Sequence, residues 1–179
     1  MLETSRLHLR LLKKEDAPSI QALASAKEIG SAMVSIPHPY PDGEAEKYLQ
    51  DRLAAFHRGQ AVSLAIIEKQ QERFSGVIEI RDIEPEHAQG EVSFWLAVGL
   101  WGQGYMSEAL KSLLSFGFAT LKLNRLYAYH MVRNPGSGKV LQKNGFLQEG
   151  LLRQRVRKCG VFEDVKLWAI LKQDWSDNL

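Results

Sequence analysis

With 179 residues, 45% of them hydrophobic and 25% charged, the chain has the ordinary make-up of one globular domain with a sizeable core. A net charge of +2 gives no electrostatic reason for a nucleic-acid or membrane partner, and no apolar run approaches the ~20 residues of a membrane span. The one cysteine, Cys159, cannot form an intrachain disulfide, and the N-terminus lacks the basic-then-apolar order of a signal peptide; a soluble cytoplasmic protein with a single domain over residues 1–179 is expected.

Residues 6–11 alternate strictly, with Leu7, Leu9 and Leu11 on one face, and form the first expected strand. Asp16-Ala17-Pro18 predicts a helix start with Asp16 as N-cap and Ile20, Leu23 and Ala24 at helical spacing. Three prolines in Pro37-His38-Pro39-Tyr40-Pro41 fix a loop, after which Asp42 is expected to cap a helix running to about residue 58. Residues 61–68 are almost all apolar, as in a central strand, and residues 74–81 and 91–98 alternate. A Gly-rich turn then leads into a helix over 107–121, with Met106, Leu110, Leu113, Leu114, Gly117 and Leu121 on one face. A strand over 125–132 is followed by a short helix with Asn134 as cap, Pro135 in its first turn and Gly145 as left-handed C-cap. Strands over 146–157 and 161–171 join through a tight hairpin at Lys158-Cys159-Gly160. This order predicts an α/β (α+β) fold: a mixed, mostly antiparallel sheet of seven strands with one parallel pair around the crossover helix, flanked by about four helices.

The most informative string is Trp101-Gly102-Gln103-Gly104-Tyr105-Met106-Ser107-Glu108-Ala109. A glycine-rich turn from strand to helix leaves backbone N–H groups free at the helix N-terminus, where the helix dipole also favours an anion such as a phosphate or pyrophosphate. A dinucleotide fingerprint needs a third glycine where Ser107 stands, and an acid near position 124, where Lys122, Asn124 and Arg125 stand instead. No G-x-x-x-x-G-K-[ST] string exists. The histidines at positions 8, 38, 57, 87 and 130 show no metal-ligand spacing, so no metal is expected.

A second string, Asn134-Pro135-Gly136-Ser137-Gly138-Lys139-Val140-Leu141-Gln142-Lys143-Asn144-Gly145-Phe146, lies one strand later. With it the chain resembles the GNAT superfamily of acetyl-CoA-dependent N-acetyltransferases, in particular the RimJ/RimL-like branch that acetylates ribosomal-protein N-termini. Leu2-Glu3-Thr4-Ser5-Arg6-Leu7-His8-Leu9-Arg10, Glu91-Val92-Ser93-Phe94-Trp95-Leu96, Glu149-Gly150 with Arg153, Asp164-Val165 and Asp174-Trp175 carry the likeness along nearly the whole chain. The superfamily signature Q/R-x-x-G-x-G/A falls on Trp101, Gly104 and Met106, so its first and last positions depart from the pattern.

The resemblance implies the GNAT acyl-CoA N-acyltransferase fold and an acetyl-CoA groove between two splayed strands. A backbone N–H near Leu96, Ala97 and Val98 would face the thioester oxygen. The amides of Gly102, Gln103, Gly104, Tyr105, Met106 and Ser107 would hold the pyrophosphate. Ser137, with Asn134 one turn earlier, would donate to the leaving thiolate, and Lys139 and Lys143 would meet the nucleotide 3′-phosphate. Glu91 is the candidate general base, with Glu79 as rival. His38 and Tyr40 in the Pro-rich loop, with Glu91 and Trp95, are the candidate acceptor-site residues. Arg153, Arg155 and Arg157, spaced two apart along the penultimate strand, either meet an acidic acceptor or blunt a sheet edge.

An α-amino group with pKa about 7.8 is roughly a quarter neutral near pH 7.4, against ~0.1% for lysine, a difference of about 3.5 kcal/mol. Branch similarity makes a protein N-terminus the leading acceptor; a polyamine, an aminoglycoside or an amino-acid-like amine, and a non-catalytic acetyl-CoA sensor, are the alternatives. Monomer and homodimer both stay open.

Overall fold

In the computed structural model, which describes residues 1–175, the alternating segments pair into one eight-stranded sheet. The strands are β1 (Leu2–Glu3), β2 (Leu7–Leu11), β3 (Val62–Glu68), β4 (Arg73–Glu84), β5 (Gln89–Leu96), β6 (Arg125–Met131), β7 (Leu147–Lys158) and β8 (Val161–Leu171). Their order is β1-β2-β3-β4-β5-β6-β8-β7, antiparallel throughout except for the parallel pair β5–β6. The helices are α1 (Ala17–Ala24), α2 (Lys27–Ala32), α3 (Glu44–His57), α4 (Tyr105–Ala119) and α5 (Pro135–Lys143).

The sheet separates two cores, because successive side chains of a strand face opposite ways. Ile66, Ile78 and Ile80 pack with Leu110, Leu113 and Phe118 of α4. Ala65, Ile67 and Val77 pack with Ile20 of α1 and Leu49 of α3. Each fully buried leucine or phenylalanine of the α4 stripe contributes about 1.5–3 kcal/mol through the water it sheds. No helix among the described residues is long and apolar enough to cross a membrane.

Four expectations are corrected. The sheet has eight strands, not seven, because β1 turns back through Thr4–Arg6 to pair with β2. Its two residues are too few to show alternation in sequence. There are five helices where about four were expected: α2 has only six residues, and Ala26 before it carries no capping side chain. Asp16 does not cap α1; its carboxylate accepts from the Lys13 amide at 2.8 Å and from both Arg10 Nη atoms at 2.7 and 2.9 Å, closing a short 3₁₀ turn before the helix. The residue before α3 is Gly43 at φ 80°, so backbone freedom at glycine, rather than Asp42, sets that helix start.

The feature that positions the site is the short β5–β6 pairing. Only Gln89, Gly90 and Glu91 are in register, with Arg125, Leu126 and Tyr127. Beyond them β5 runs on to Leu96 and β6 to Met131 without a shared register, so the sheet opens in its middle. The open end lies at the carboxyl ends of both strands, where α4 and α5 begin. Helix N-termini and unpaired strand groups therefore face one gap.

The N-terminal corner braces α4. Glu108, in the first turn, accepts from Ser5 Oγ at 3.0 Å, the Arg6 amide at 2.8 Å and Arg6 Nε at 2.7 Å. Burial alone would raise the Glu108 carboxyl, but the hydrogen bonds from the Thr4–Arg6 segment outweigh it and hold it at about 2. A carboxyl depressed in the fold adds stability that is present above its ordinary value of 4.5 and is lost as pH falls toward 2. Glu108→Gln is therefore expected to cost about 1–2 kcal/mol at pH 7, a figure reduced for solvent screening at the half-exposed Arg6, and progressively less below pH 4. Urea unfolding of both proteins across that range checks it.

Candidate active site

The loop entering α4 is built by two left-handed glycines, Gly102 at φ 74° and Gly104 at φ 82°. Gly104 turns the chain straight into the helix, so α4 starts at Tyr105, two residues before the expected Ser107. The N–H groups of Tyr105, Met106 and Ser107 have no carbonyl one turn earlier to receive them. Arg6 holds the loop from behind: its Nη1 donates to the Gln103 carbonyl at 3.1 Å and its guanidinium lies 4.1 Å over the Tyr105 ring. The Gln103 side chain donates to the Gly99 carbonyl at 2.8 Å.

A cavity of 470 Å³ runs from this loop to α5, lined by Leu96, Gly102, Gly104, Tyr105, Met106 and Ser107 on one side and by Asn134, Ser137, Lys139 and Lys143 on the other. Two smaller cavities adjoin it. One of 250 Å³ reaches Arg81, Glu91, Tyr129, His130 and Arg155. The other, of 180 Å³, reaches Tyr40, Tyr48, Arg52, Glu79 and Arg81. Ala32, Met33, Phe94, Asn134 and Ser137 line both the largest cavity and the 250 Å³ one, and so mark where the two meet.

Asn134 caps α5 as expected, its Oδ1 accepting from the Ser137 amide at 3.4 Å. Its Nδ2 donates to Ser137 Oγ at 3.0 Å and to the Ala32 carbonyl at 3.3 Å. With Oγ already accepting, the Ser137 hydroxyl hydrogen is left to donate into the cavity junction.

Ala97 is corrected as an oxyanion donor: its N–H is given to Ser75 O on β4 at 2.7 Å. By strand alternation the N–H groups of Leu96 and Phe94 point the other way, toward the open side facing β6. The Leu96 carbonyl on that side is taken by Trp101 Nε1 at 2.7 Å. Trp101 thus stands at the first signature position as a brace between strand end and loop. Val98 lies past the strand in a 3₁₀ turn and lines none of the three cavities.

Glu91 does line the 250 Å³ cavity, but as half of an ion pair: Arg81 Nη2 is 2.5 Å from its Oε1. Burial pushes its carboxyl up, and Arg81 pulls it partly back. Arg81 also lies 3.7 Å from Glu79, which is 4% exposed and accepts from Ser63 Oγ at 2.7 Å. Arg81 is the residue that sequence reasoning missed. Its only signal was its place beside Glu79 in an alternating strand, and the register that sets it opposite Glu91 is invisible in sequence. Tyr40 lines the 180 Å³ cavity, and burial, aided by Glu44 and Glu46, pushes its hydroxyl up to about 12, so it stays protonated. Trp95 is 8% exposed and packs against Phe74, an edge of it reaching two cavities. His38 is exposed, sits over Gly30 and lines none of the three.

No group of three or more His, Cys, Asp or Glu among the described residues is placed to hold a metal ion. A glycine-built loop with free helix amides beside an opened parallel strand pair is the arrangement expected of an acyl-CoA N-acyltransferase. The acetyltransferase (GNAT) domain family matches residues 6–147. The chain belongs to that family.

An uncharacterized N-acetyltransferase p20 of Bacillus licheniformis is 32% identical over 176 residues, 98% of each chain. The ribosomal-protein-serine acetyltransferase of Escherichia coli (strain K12) is 32% identical over 126 residues, covering 70% of this chain and 69% of the relative. The crystal structure of spermidine N-acetyltransferase from Vibrio cholerae in complex with CoA and spermine superposes with a TM-score of 0.84 at 25% identity, covering 95% of this chain and 98% of that one. This GNAT enzyme is an N-acetyltransferase of the RimJ/RimL-like branch, at moderate identity to its ribosomal-protein-modifying members.

Proposed function

We propose that this GNAT enzyme transfers acetyl from acetyl-CoA to the N-terminal α-amino group of a protein, by direct attack in a ternary complex. The observation that carries the choice of acceptor is the neutralised acceptor end of the gap. Both buried carboxylates there, Glu79 and Glu91, are already matched by Arg81, with Arg52 3.7 Å from Glu79 as well. A polyamine brings further ammonium groups that need unmatched carboxylates, whereas an N-terminus brings one amine that is partly neutral at working pH.

The residues fit the thioester carrier. Three unpartnered N–H groups and two left-handed glycines suit a diphosphate, Lys139 and Lys143 suit a further phosphate, and the apolar walls near Phe94 and Leu96 suit a pantetheine arm. When bound, acetyl-CoA supplies the activated acyl group. The N–H groups of Leu96 and Phe94 are aimed at the side where charge develops on the acyl oxygen. The Ser137 hydroxyl, oriented by Asn134, donates toward the departing sulfur. Glu91 takes the proton from the amine, directly or through water.

A base must be ionised, and burial raises the Glu91 carboxyl above its ordinary 4.5. The acid limb of kcat/KM is therefore expected above pH 4.5. Glu91→Gln is expected to lower kcat/KM at neutral pH by roughly 10²-fold, with partial recovery at higher pH as more of the amine becomes neutral. An unchanged pH–rate profile removes Glu91 from the role.

The likeness to the Vibrio cholerae structure, with Glu44 and Asp51 at the rim of the 180 Å³ cavity, favours spermidine as the second reading. Release of free thiol from acetyl-CoA, measured with N-terminal peptides and with spermidine side by side, separates the two. Turnover with spermidine and none with any peptide overturns the first. Tight coenzyme A binding with no thiol release from any amine points instead to a sensor.

A further inference from the structure

Resting on the proposed acetyl transfer to an amine, a second observation bears on what surrounds that amine. Strand β7 is broken in mid-course. Leu152 is in register with Val165 and Val156 with Glu163, so residues 153–155 stand opposite Asp164 alone. Gln154, inside this bulge, adopts φ +50°, a conformation uncommon for a residue with a side chain. Its amide is held by Asp164 Oδ1 at 2.7 Å, while the Asp164 carbonyl accepts from the Val132 amide at 3.0 Å, tying the bulge to the chain just beyond β6. Bulges of this kind re-aim a side chain and occur beside active sites.

The side chain re-aimed here is Arg155. It lines the 250 Å³ cavity together with Glu91, Arg81, Asn134 and Ser137. The expected alternation of Arg153, Arg155 and Arg157 on one face is broken by the bulge. Arg157 is spoken for, lying 5.5 Å over the Phe162 ring and donating to the Gly160 carbonyl at 3.2 Å. Arg155 enters no ion pair among the described residues. Because Arg81 and Glu91 cancel, Arg155 leaves the cavity with one unmatched positive charge, on the acceptor side of the junction with the largest cavity. A guanidinium is the side chain best shaped to take a carboxylate in two parallel hydrogen bonds.

We propose that the acceptor carries a carboxylate close to the amine that is acetylated, and that Arg155, presented by the β7 bulge, is the specificity-determining residue that receives it. Such an acceptor is either a protein N-terminus with an acidic residue next in sequence or a free acidic amino acid, and the assay separates them.

Thiol release from acetyl-CoA would be followed with tetrapeptides whose second residue is aspartate, glutamate, alanine or lysine, and with free aspartate and glutamate. The wild type is expected to show kcat/KM at least about fivefold higher for the acidic peptides than for the alanine peptide. Arg155→Ala should erase the preference and Arg155→Glu should reverse it toward lysine. Because Arg155 is exposed and lies away from the diphosphate loop, the KM for acetyl-CoA should stay unchanged in both, which also certifies folding. Equal rates for all four peptides, or a preference that survives Arg155→Ala, overturns the inference and leaves N-terminal acetylation standing. Turnover of free acidic amino acids but of no peptide, lost in Arg155→Ala, upholds the carboxylate and Arg155 while removing the protein acceptor; the same turnover kept in Arg155→Ala overturns the inference. Turnover of spermidine alone overturns both.

Discussion

Gly104→Val is expected to raise the KM for acetyl-CoA at least about tenfold, with little change in the KM for the acceptor. Space is not the cause, since the atom nearest an added Cβ is Arg6 Nη2 at 3.5 Å, an ordinary contact. The cause is backbone conformation. At φ 82° a non-glycine residue carries roughly 1–2 kcal/mol of strain, and a β-branched one more. The loop relieves that strain most easily by leaving the left-handed region, which swings the N–H groups of Tyr105, Met106 and Ser107 away from the cavity. Gly43 offers the control, because it precedes α3 at φ 80° and ψ −4°, nearly the same geometry as Gly104 at φ 82° and ψ −1°. Gly43→Val should carry a similar stability cost and leave the acetyl-CoA KM unchanged. Calorimetric titration with coenzyme A, alongside thermal unfolding of both variants, separates the local strain from the lost binding. Equal coenzyme A affinity in wild type and Gly104→Val would remove the loop from the binding role.

Arg81→Ala is expected to destabilise the fold by about 3 kcal/mol, because it strips the cation from Glu91 and leaves Glu79 with Arg52 alone, 3.7 Å away. Glu79 is 4% exposed and Glu91 only 14% exposed at its side chain, so water replaces the lost cation only in part. In a chain of this size that corresponds to a drop of about 6–12 °C in Tm. The same change should move acceptor preference toward spermidine, since the gap then holds uncompensated negative charge. Arg81→Ala with Glu91→Gln should recover part of the stability, by removing one of the stranded charges. Urea unfolding and the paired thiol-release assay test both halves. A variant that is as stable as the wild type and still indifferent to spermidine would show that Arg81 does not set the charge of the acceptor end.

Gly104 and Arg81 differ in how far the linear chain exposes them. Gly104 could be picked out beforehand: two glycines between an alternating strand and a periodic helix specify a tight turn with exposed amides, and the φ values agree. Asn134 before Pro135 was legible as a cap for the same local reason, and Ser137 followed three residues on. Arg81 could not be picked out, nor could the Arg6–Glu108 brace, whose partners lie 102 residues apart. The seating of Lys158 on the Ile36 carbonyl, which ties the β7–β8 hairpin to the loop lining the 180 Å³ cavity, spans 122 residues. His130 was unremarkable in sequence, yet it is 6% exposed beneath α5, with Nδ1 bonded to the Met131 carbonyl and Nε2 without a partner, and burial lowers its pKa.

Taken alone, the sequence determined what depends on neighbours along the chain. Hydrophobic period set helix against strand, proline and glycine set the turns, and their order set the crossover that makes one strand pair parallel. Tertiary structure alone decided which charges meet. Cross-strand register placed Arg81 against Glu91, a bulge interrupts simple alternation where Arg155 meets the 250 Å³ cavity, and three paired residues rather than seven opened the gap between β5 and β6. Hydrogen-bond register and ion pairing act across tens of residues of intervening chain, and a linear pattern carries no record of distance through space.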